Sequence, residues 1–303
     1  MPRMSRIDLG QLVTESRNPR TQELDALPTL EILQVMNDED QRATLAVREQ
    51  LPAIAAAVDA IAVRMHKGGR LVYCGAGTSG RLGVLDAAEC PPTFSATPTQ
   101  VVGLIAGGPG ALLKAVEGAE DDAGLGARDL QALELGPKDT VVGIAASGRT
   151  PYVVGALEFA RSRGALTVAL VMNRGSAVAA AAELPIEVVV GPEVLTGSTR
   201  LKAGTATKLV LNMLSTGVFV RLHKVYGNLM VDLQASNRKL QARSVRIVAE
   251  AADCSEALAG ELLARCDGEV KTAIVAQKKH VEPAVARTLL FTHDGSVRQA
   301  LGG

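Results

Sequence analysis

The 303-residue chain has no tryptophan, three tyrosines and four phenylalanines. So few rings exclude the aromatic stacking platforms that hold single-stranded nucleic acid. It also lacks an excess of either charge: 32 Lys and Arg stand against 32 Asp and Glu, a formal net charge of zero. That balance excludes attraction to nucleic acid or to a membrane surface by bulk charge. The four cysteines (Cys74, Cys90, Cys254, Cys266) form no Cys-x-x-Cys pair, as in reduced cytosolic proteins. The four histidines (His66, His223, His280, His293) lack metal-ligand spacing, so no metal is expected. No apolar run approaches the roughly 18 residues of a membrane span. The start, Met1 to Asp8, has no apolar signal-peptide core. A soluble, cytoplasmic protein is expected.

The chain is rich in hydrophobic residues, at 47%, and in glycine, with 30. The length suits about two domains, and the composition suits helices packed closely on a parallel sheet. Three zones are expected: an N-terminal helical segment over 1–60 that packs on the core, an α/β domain over 61–240, and a small helical domain over 241–303. In the first zone, Thr29 is a candidate cap for a helix over Leu30–Asn37. A second helix runs from about Asp40 to His66, with Leu45, Leu51, Ile54, Val58 and Ile61 at helical spacing.

The middle zone alternates. Strands are expected at Leu71–Cys74, Val101–Ala106, Thr140–Ala145, Ala165–Met172 and Ile186–Val190. Helices are expected at Ser79–Glu89, Ala111–Asp121, Pro151–Arg163 and Ser176–Ala182. That order predicts a doubly wound, five-stranded parallel sheet, whose ligands bind beyond the carboxyl ends of its strands. A nearly all-apolar helix follows Thr199 and reaches about Val225; such helices are buried.

Several loops carry candidate chemistry. Gly75-Ala76-Gly77-Thr78-Ser79-Gly80 follows a strand and opens a helix. It matches the dinucleotide fingerprint in form, but the second strand ends Ile105-Ala106-Gly107-Gly108 without the acidic residue that fingerprint requires. An anion or sugar at the helix N-terminus fits better, and a tight turn without ligand is the plain alternative. Ala146-Ser147-Gly148-Arg149-Thr150-Pro151 offers hydroxyls and free amides for a phosphate. The Pro91-Pro92 pair is expected to end a helix at Cys90. Glu89 then lies on its last turn, as either a surface charge or a carboxylate at a cleft. Glu117–Asp122 is either a solvated acidic face or part of the same cleft. Gly191–Thr205 is polar and glycine-rich before a greasy helix; Ser198 or Thr199 could cap that helix, and Arg200 and Lys202 could serve an anion.

At Thr14-Glu15-Ser16-Arg17-Asn18-Pro19, Gly75–Pro92, Val116–Asp122, Ala146–Pro151 and Glu193–Thr205, the sequence resembles the N-acetylmuramic acid 6-phosphate etherases, from about residue 10 to the C-terminus. The resemblance implies a sugar isomerase domain, a small C-terminal helical domain and a homodimer. It also implies removal of D-lactate from the sugar phosphate without metal or organic cofactor, in cell-wall recycling. Glu89 and Glu120 fall on the family's catalytic acid/base positions. Gly77, Thr78, Ser79, Ser147, Gly148, Arg149, Thr150, Ser198 and Lys202 are the expected substrate-binding residues. The related glucokinase regulatory protein has two sugar isomerase domains, for which this chain is too short. The competing readings are a sugar-phosphate-binding regulator without catalysis, an aldose–ketose isomerase and a DNA-binding sugar sensor. The last is disfavoured by the neutral charge and by the absence of a basic N-terminal helix-turn-helix.

Overall fold

The computed structural model describes residues 12–235 and 237–303. The expected start of the N-terminal zone, over 1–11, lies outside them. Five short apolar runs become β1 (Leu71–Gly75), β2 (Val101–Ile105), β3 (Thr140–Ala145), β4 (Leu166–Val171) and β5 (Leu184–Glu187). All pair in parallel, in the order β2-β1-β3-β4-β5. The first four lie within a residue of the expected bounds. The fifth begins two residues earlier than expected and ends at Glu187, because β5 is an edge strand and accommodates Pro185, which reads in sequence as a boundary.

Alternate strand residues face opposite sides, and both faces are covered. Val72, Cys74, Val141, Ala145, Ala169 and Val171 share a core with α4 (Ala123–Gln131), α5 (Pro151–Ser162) and α6 (Ala177–Ala181). On the other face, α3 (Gly77–Phe94) lies so close to the sheet that a Cβ on Gly83 would sit 2.9 Å from the Cβ of Tyr73. Burial, reinforced by the Asp129 charge, pushes the Cys74 thiol up to about 12. Alkylation of the native protein at mildly basic pH should therefore mark the partly exposed Cys254 well before Cys74. Equal labelling of the two, read by peptide mass spectrometry, would contradict this packing.

Three expectations need correction. The first N-terminal helix does not stop near Asn37: α1 spans Thr29–Glu49 and α2 spans Leu51–His66. The polar stretch around Glu39 reads as a break, but Glu39 is buried and ion-paired. The actual break is at Gln50, two residues before Pro52, which takes the first turn of α2 where its missing N–H costs little. Pro28 rather than Thr29 holds the N-cap position of α1. Second, Ala111–Asp121 is not a helix. It forms single 3-10 turns at Pro109–Leu112 and Ala119–Asp121, separated by Gly118 at φ +75. The crossover helix is α4, capped by Asp122, which accepts from the Leu125 amide at 3.0 Å. Third, α3 passes through Pro91-Pro92 to Phe94. The two rings delete amide donors toward the preceding turn, yet the Pro91 carbonyl still accepts from Ser95 and the Thr93 hydroxyl bonds the Glu89 carbonyl.

The chain divides into two compact units. One holds the chain up to Ala87 together with Gln100–Leu214, and contains the sheet. The other holds Ala88–Thr99 and Ser215–Gly303, so it begins earlier than the boundary at 240/241 read from sequence. The long helix α7 (Lys202–Arg221) contributes to both. The second unit contains a short hairpin, β6 (Val225–Tyr226) with β7 (Leu229–Met230), then α8 (Arg238–Ala252), α9 (Glu256–Arg265), α10 (Val270–Lys279), α11 (Pro283–Thr292) and α12 (Val297–Ala300). Its core centres on Val248, Ala259, Cys266, Ile274 and Ala286, and Phe94 stacks on Phe219 at 4.5 Å. Among the described residues no helix is long and apolar enough to cross a membrane.

Candidate active site

The strand order fixes where a ligand enters. β1 and β3 are neighbours, but β1 leads to β2 on one side and β3 to β4 on the other. The loops after β1 and β3 therefore flank a crevice at their carboxyl ends. The first loop is extremely tight: a Cβ on Gly80 would lie 2.6 Å from the Gly75 carbonyl oxygen. The strand thus passes into α3 with almost no connector. Gly77, at φ +52, starts that helix. The opening amides of α3, at Gly77, Thr78 and Ser79, have no carbonyl one turn earlier to bond, and the helix dipole draws negative charge to them. Thr78 and Ser79 are half-buried there.

In the loop after β3, Gly148 has φ +71, and a Cβ on it would fall 2.3 Å from the Ser176 side chain. Only glycine fits, on both counts. Ser147 Oγ accepts from the Arg149 amide at 3.2 Å, and Pro151 opens α5. Thr150 is half-buried and Arg149 exposed. Behind this loop, Asn173 Nδ2 donates to the carbonyls of Ala146 and Ser147 at 3.1 and 3.4 Å.

The Glu193–Thr205 block reaches the first loop. A Cβ on Gly204 would lie 3.8 Å from Thr78 Cγ2. The cap of α7 is neither Ser198 nor Thr199. Buried Glu193 reaches across nine residues and accepts from the Lys202 and Ala203 amides, each at 3.0 Å. Burial pushes its carboxyl above the usual range despite those two donors. Ser198 is half-buried and Arg200 exposed. Lys202, expected to face an anionic ligand, is buried and ion-paired with Glu39. A basic residue beside a glycine-rich loop suggests a ligand cation in sequence, but the carboxylate that takes it lies 163 positions away.

Glu120 sits on the 3-10 turn after β2 and is exposed. It lines a pocket of about 170 Å³ with Ala76, Gly77, Arg81, Val116 and Glu117. The structure thus places Glu120 and the first loop in one cavity. Arg81 was not singled out in the sequence. It lies one helical turn after Gly77, and its guanidinium holds the carbonyls of Leu112 and Ala111 at 2.9 and 2.8 Å. It thereby fixes the irregular segment that leads to Glu120. Glu89 is exposed on α3 and belongs to the second compact unit. Among the described residues, no three His, Cys, Asp or Glu side chains converge as a metal-ligand set.

Comparison with known proteins agrees with this geometry. Residues 53–161 match the glucokinase regulatory protein N-terminal SIS domain, 120–217 the SIS domain, and 227–288 the C-terminal lid domain of glucokinase regulatory protein. A phosphoheptose isomerase from Francisella tularensis has the same fold, with a TM-score of 0.52 at 19% identity over 64% of this chain and 100% of that one. The sheet, its switch-point loops and these matches define a SIS-domain protein. Among full-length relatives, the N-acetylmuramic acid 6-phosphate etherase of Streptomyces coelicolor is 60% identical over 98% of this chain and 95% of its own. That of Aeromonas hydrophila is 57% identical over 97% and 98%. The chain belongs to the N-acetylmuramic acid 6-phosphate etherase family.

Proposed function

We propose that the protein cleaves the D-lactyl ether of N-acetylmuramic acid 6-phosphate, yielding N-acetylglucosamine 6-phosphate and D-lactate, in the cytoplasmic recycling of cell-wall amino sugars. The observation that carries this reading is full-length identity of 54 to 60% to relatives that bear the etherase name. The pocket that joins Glu120 to the first anion-binding loop supports it.

The chemistry needs little apparatus. In the open-chain sugar, the C2 proton is alpha to an aldehyde and the lactyl ether is beta to it. A carboxylate removes that proton. A carboxylic acid protonates the ether oxygen, which otherwise leaves poorly, and lactate departs with the bonding pair. Water then adds at C3 of the unsaturated aldehyde. Each acid/base contact is worth about 10²–10⁴-fold. Glu89 and Glu120 are the proposed pair.

The 6-phosphate is assigned to the opening amides of α3, with Thr78 and Ser79, and to Ser147, Gly148, Arg149 and Thr150. Ser198 is assigned to the same site. Ser147→Ala should weaken substrate binding by about 1–3 kcal/mol, the cost of removing a partner from a charged acceptor. Unphosphorylated N-acetylmuramic acid should be a very poor substrate. Equal turnover of the two sugars at low concentration, followed by D-lactate release, would refute this assignment.

The exposed Leu30, Leu33 and Leu45 of α1 and Val63 of α2 support a homodimer, since such apolar surface is normally covered. The match to glucokinase regulatory protein domains is the one observation that favours a binding role without turnover. Release of D-lactate from the phosphorylated sugar separates the two readings.

A further inference from the structure

The N-terminal block Thr14–Pro19 has no part in the chemistry above, yet it is tied to the carboxyl ends of two strands. Past the end of β4, buried Asn173 accepts from the Val13 amide at 2.9 Å and donates to Thr14 Oγ1 at 3.2 Å. The same amide group also holds the carbonyls of Ala146 and Ser147. Past the end of β5, buried Asn18 donates to the Pro192 carbonyl at 3.2 Å. Between these two anchors lies Glu15. Its carboxylate points at the Gly197–Ser198 turn: a Cβ on Gly197 would lie 3.2 Å from Glu15 Oε2. Glu15 is half-buried, and its carboxylate makes no hydrogen bond or ion pair among the described residues.

A carboxylate held against the Gly197–Ser198 turn without a partner there keeps its acceptor lone pairs free for a ligand. Here it is held two links from the Ser147 loop and beside Ser198. We infer that Glu15 is a substrate-contacting, specificity-determining residue of this site, accepting hydrogen bonds from the neutral donors of the sugar. The inference rests on the proposed sugar-phosphate site. The ligand's chemistry narrows the contact. Its phosphate and lactyl carboxylate are both anionic and are repelled by Glu15, which leaves the chain hydroxyls and the acetamido N–H. Asn173 is a positioning residue that aligns Glu15 and the phosphate loop together.

The test uses the full chain and two ligands: the product N-acetylglucosamine 6-phosphate, which binds without turnover, and inorganic phosphate. Glu15→Gln and Glu15→Ala should weaken calorimetric binding of the product about tenfold or more, the loss expected when a charged acceptor is removed. Inorganic phosphate affinity and the melting temperature should not change. Asn173→Asp retains the acceptor for Val13 but loses the donors to the loop, and should weaken both ligands. Unchanged product binding in both Glu15 variants would overturn the inference. A parallel loss of phosphate binding in them would also overturn it, by showing that Glu15 only supports the loop. Absence of lactate release by the wild-type protein would defeat the etherase reading alone, because the binding comparison does not depend on turnover.

Discussion

Glu120→Gln should lower D-lactate release by about 10²–10⁴-fold while substrate still binds. Glutamine preserves the shape of the side chain and removes its proton chemistry. Glu120 lines the pocket next to Gly77, and no binding role is assigned to its charge, so KM should move little. Glu89→Gln should cause a collapse of similar size. The two variants should differ in one respect. The variant that lacks the C2 base should lose solvent deuterium exchange at C2, whereas the variant that lacks the acid should keep it. Near-normal lactate release in both single variants would rule out the paired-carboxylate mechanism.

Glu39→Gln should destabilise the fold by about 3–5 kcal/mol, the usual consequence of stranding a buried charge. Glu39 and Lys202 are both buried, with side chains 0% and 1% exposed. Glu39 also bonds Arg20 at 3.0 Å and lies 3.4 Å from Arg42. Those two arginines reach solvent, with side chains 40% and 54% exposed. Loss of the carboxylate therefore strands Lys202 alone. Lys202→Met should cost less, because Glu39 keeps both arginines and methionine fills the space of the lysine stem. Urea unfolding should show the larger midpoint shift for Glu39→Gln with an unchanged slope. Equal small shifts would contradict the account.

The pH dependence follows from the same cluster. Burial alone would push the Glu39 carboxyl up, but the hydrogen bond and charge of Lys202, with Arg42 and Arg20, outweigh it and hold the carboxyl below its usual range. A depressed carboxyl stabilises the fold fully above its unfolded value of about 4.3 and loses that contribution as pH falls through the lower folded value. The gap between wild type and Glu39→Gln should therefore be constant near neutrality and close only in acid.

The sheet was legible because its strands are short apolar runs rich in branched residues, and the central ones, such as Thr140–Ala145 and Leu166–Val171, are buried on both faces. The two glycine-rich loops were legible because positions such as Gly148 permit no other residue. Where the reading failed, local pattern competed with contacts that sequence spacing does not show. Ala111, Leu112, Ala115 and Val116 look like one face of a helix, yet the segment is irregular and Leu113 is 96% exposed. Helix α4 is short and carries two glycines, so its apolar signal is weak. The proline pair reads as a helix end, but α3 continues to Phe94 because the Pro91 carbonyl still accepts from the Ser95 amide. Glu39, Glu193 and Asn173 look like ordinary polar residues. Their roles come from partners 9 to 163 positions away.

The measurement that bears most directly on the central claim is turnover of N-acetylmuramic acid 6-phosphate in heavy-oxygen water, with both products weighed by mass spectrometry. Elimination followed by hydration breaks the bond between C3 and the ether oxygen, so the sugar should gain one solvent oxygen at C3 and the lactate hydroxyl should gain none. The label at C3 must be separated from exchange at the C1 aldehyde, for instance by reducing the sugar and fragmenting it. Solvent oxygen in the lactate hydroxyl with an unlabelled C3, or no lactate at all, would contradict the account.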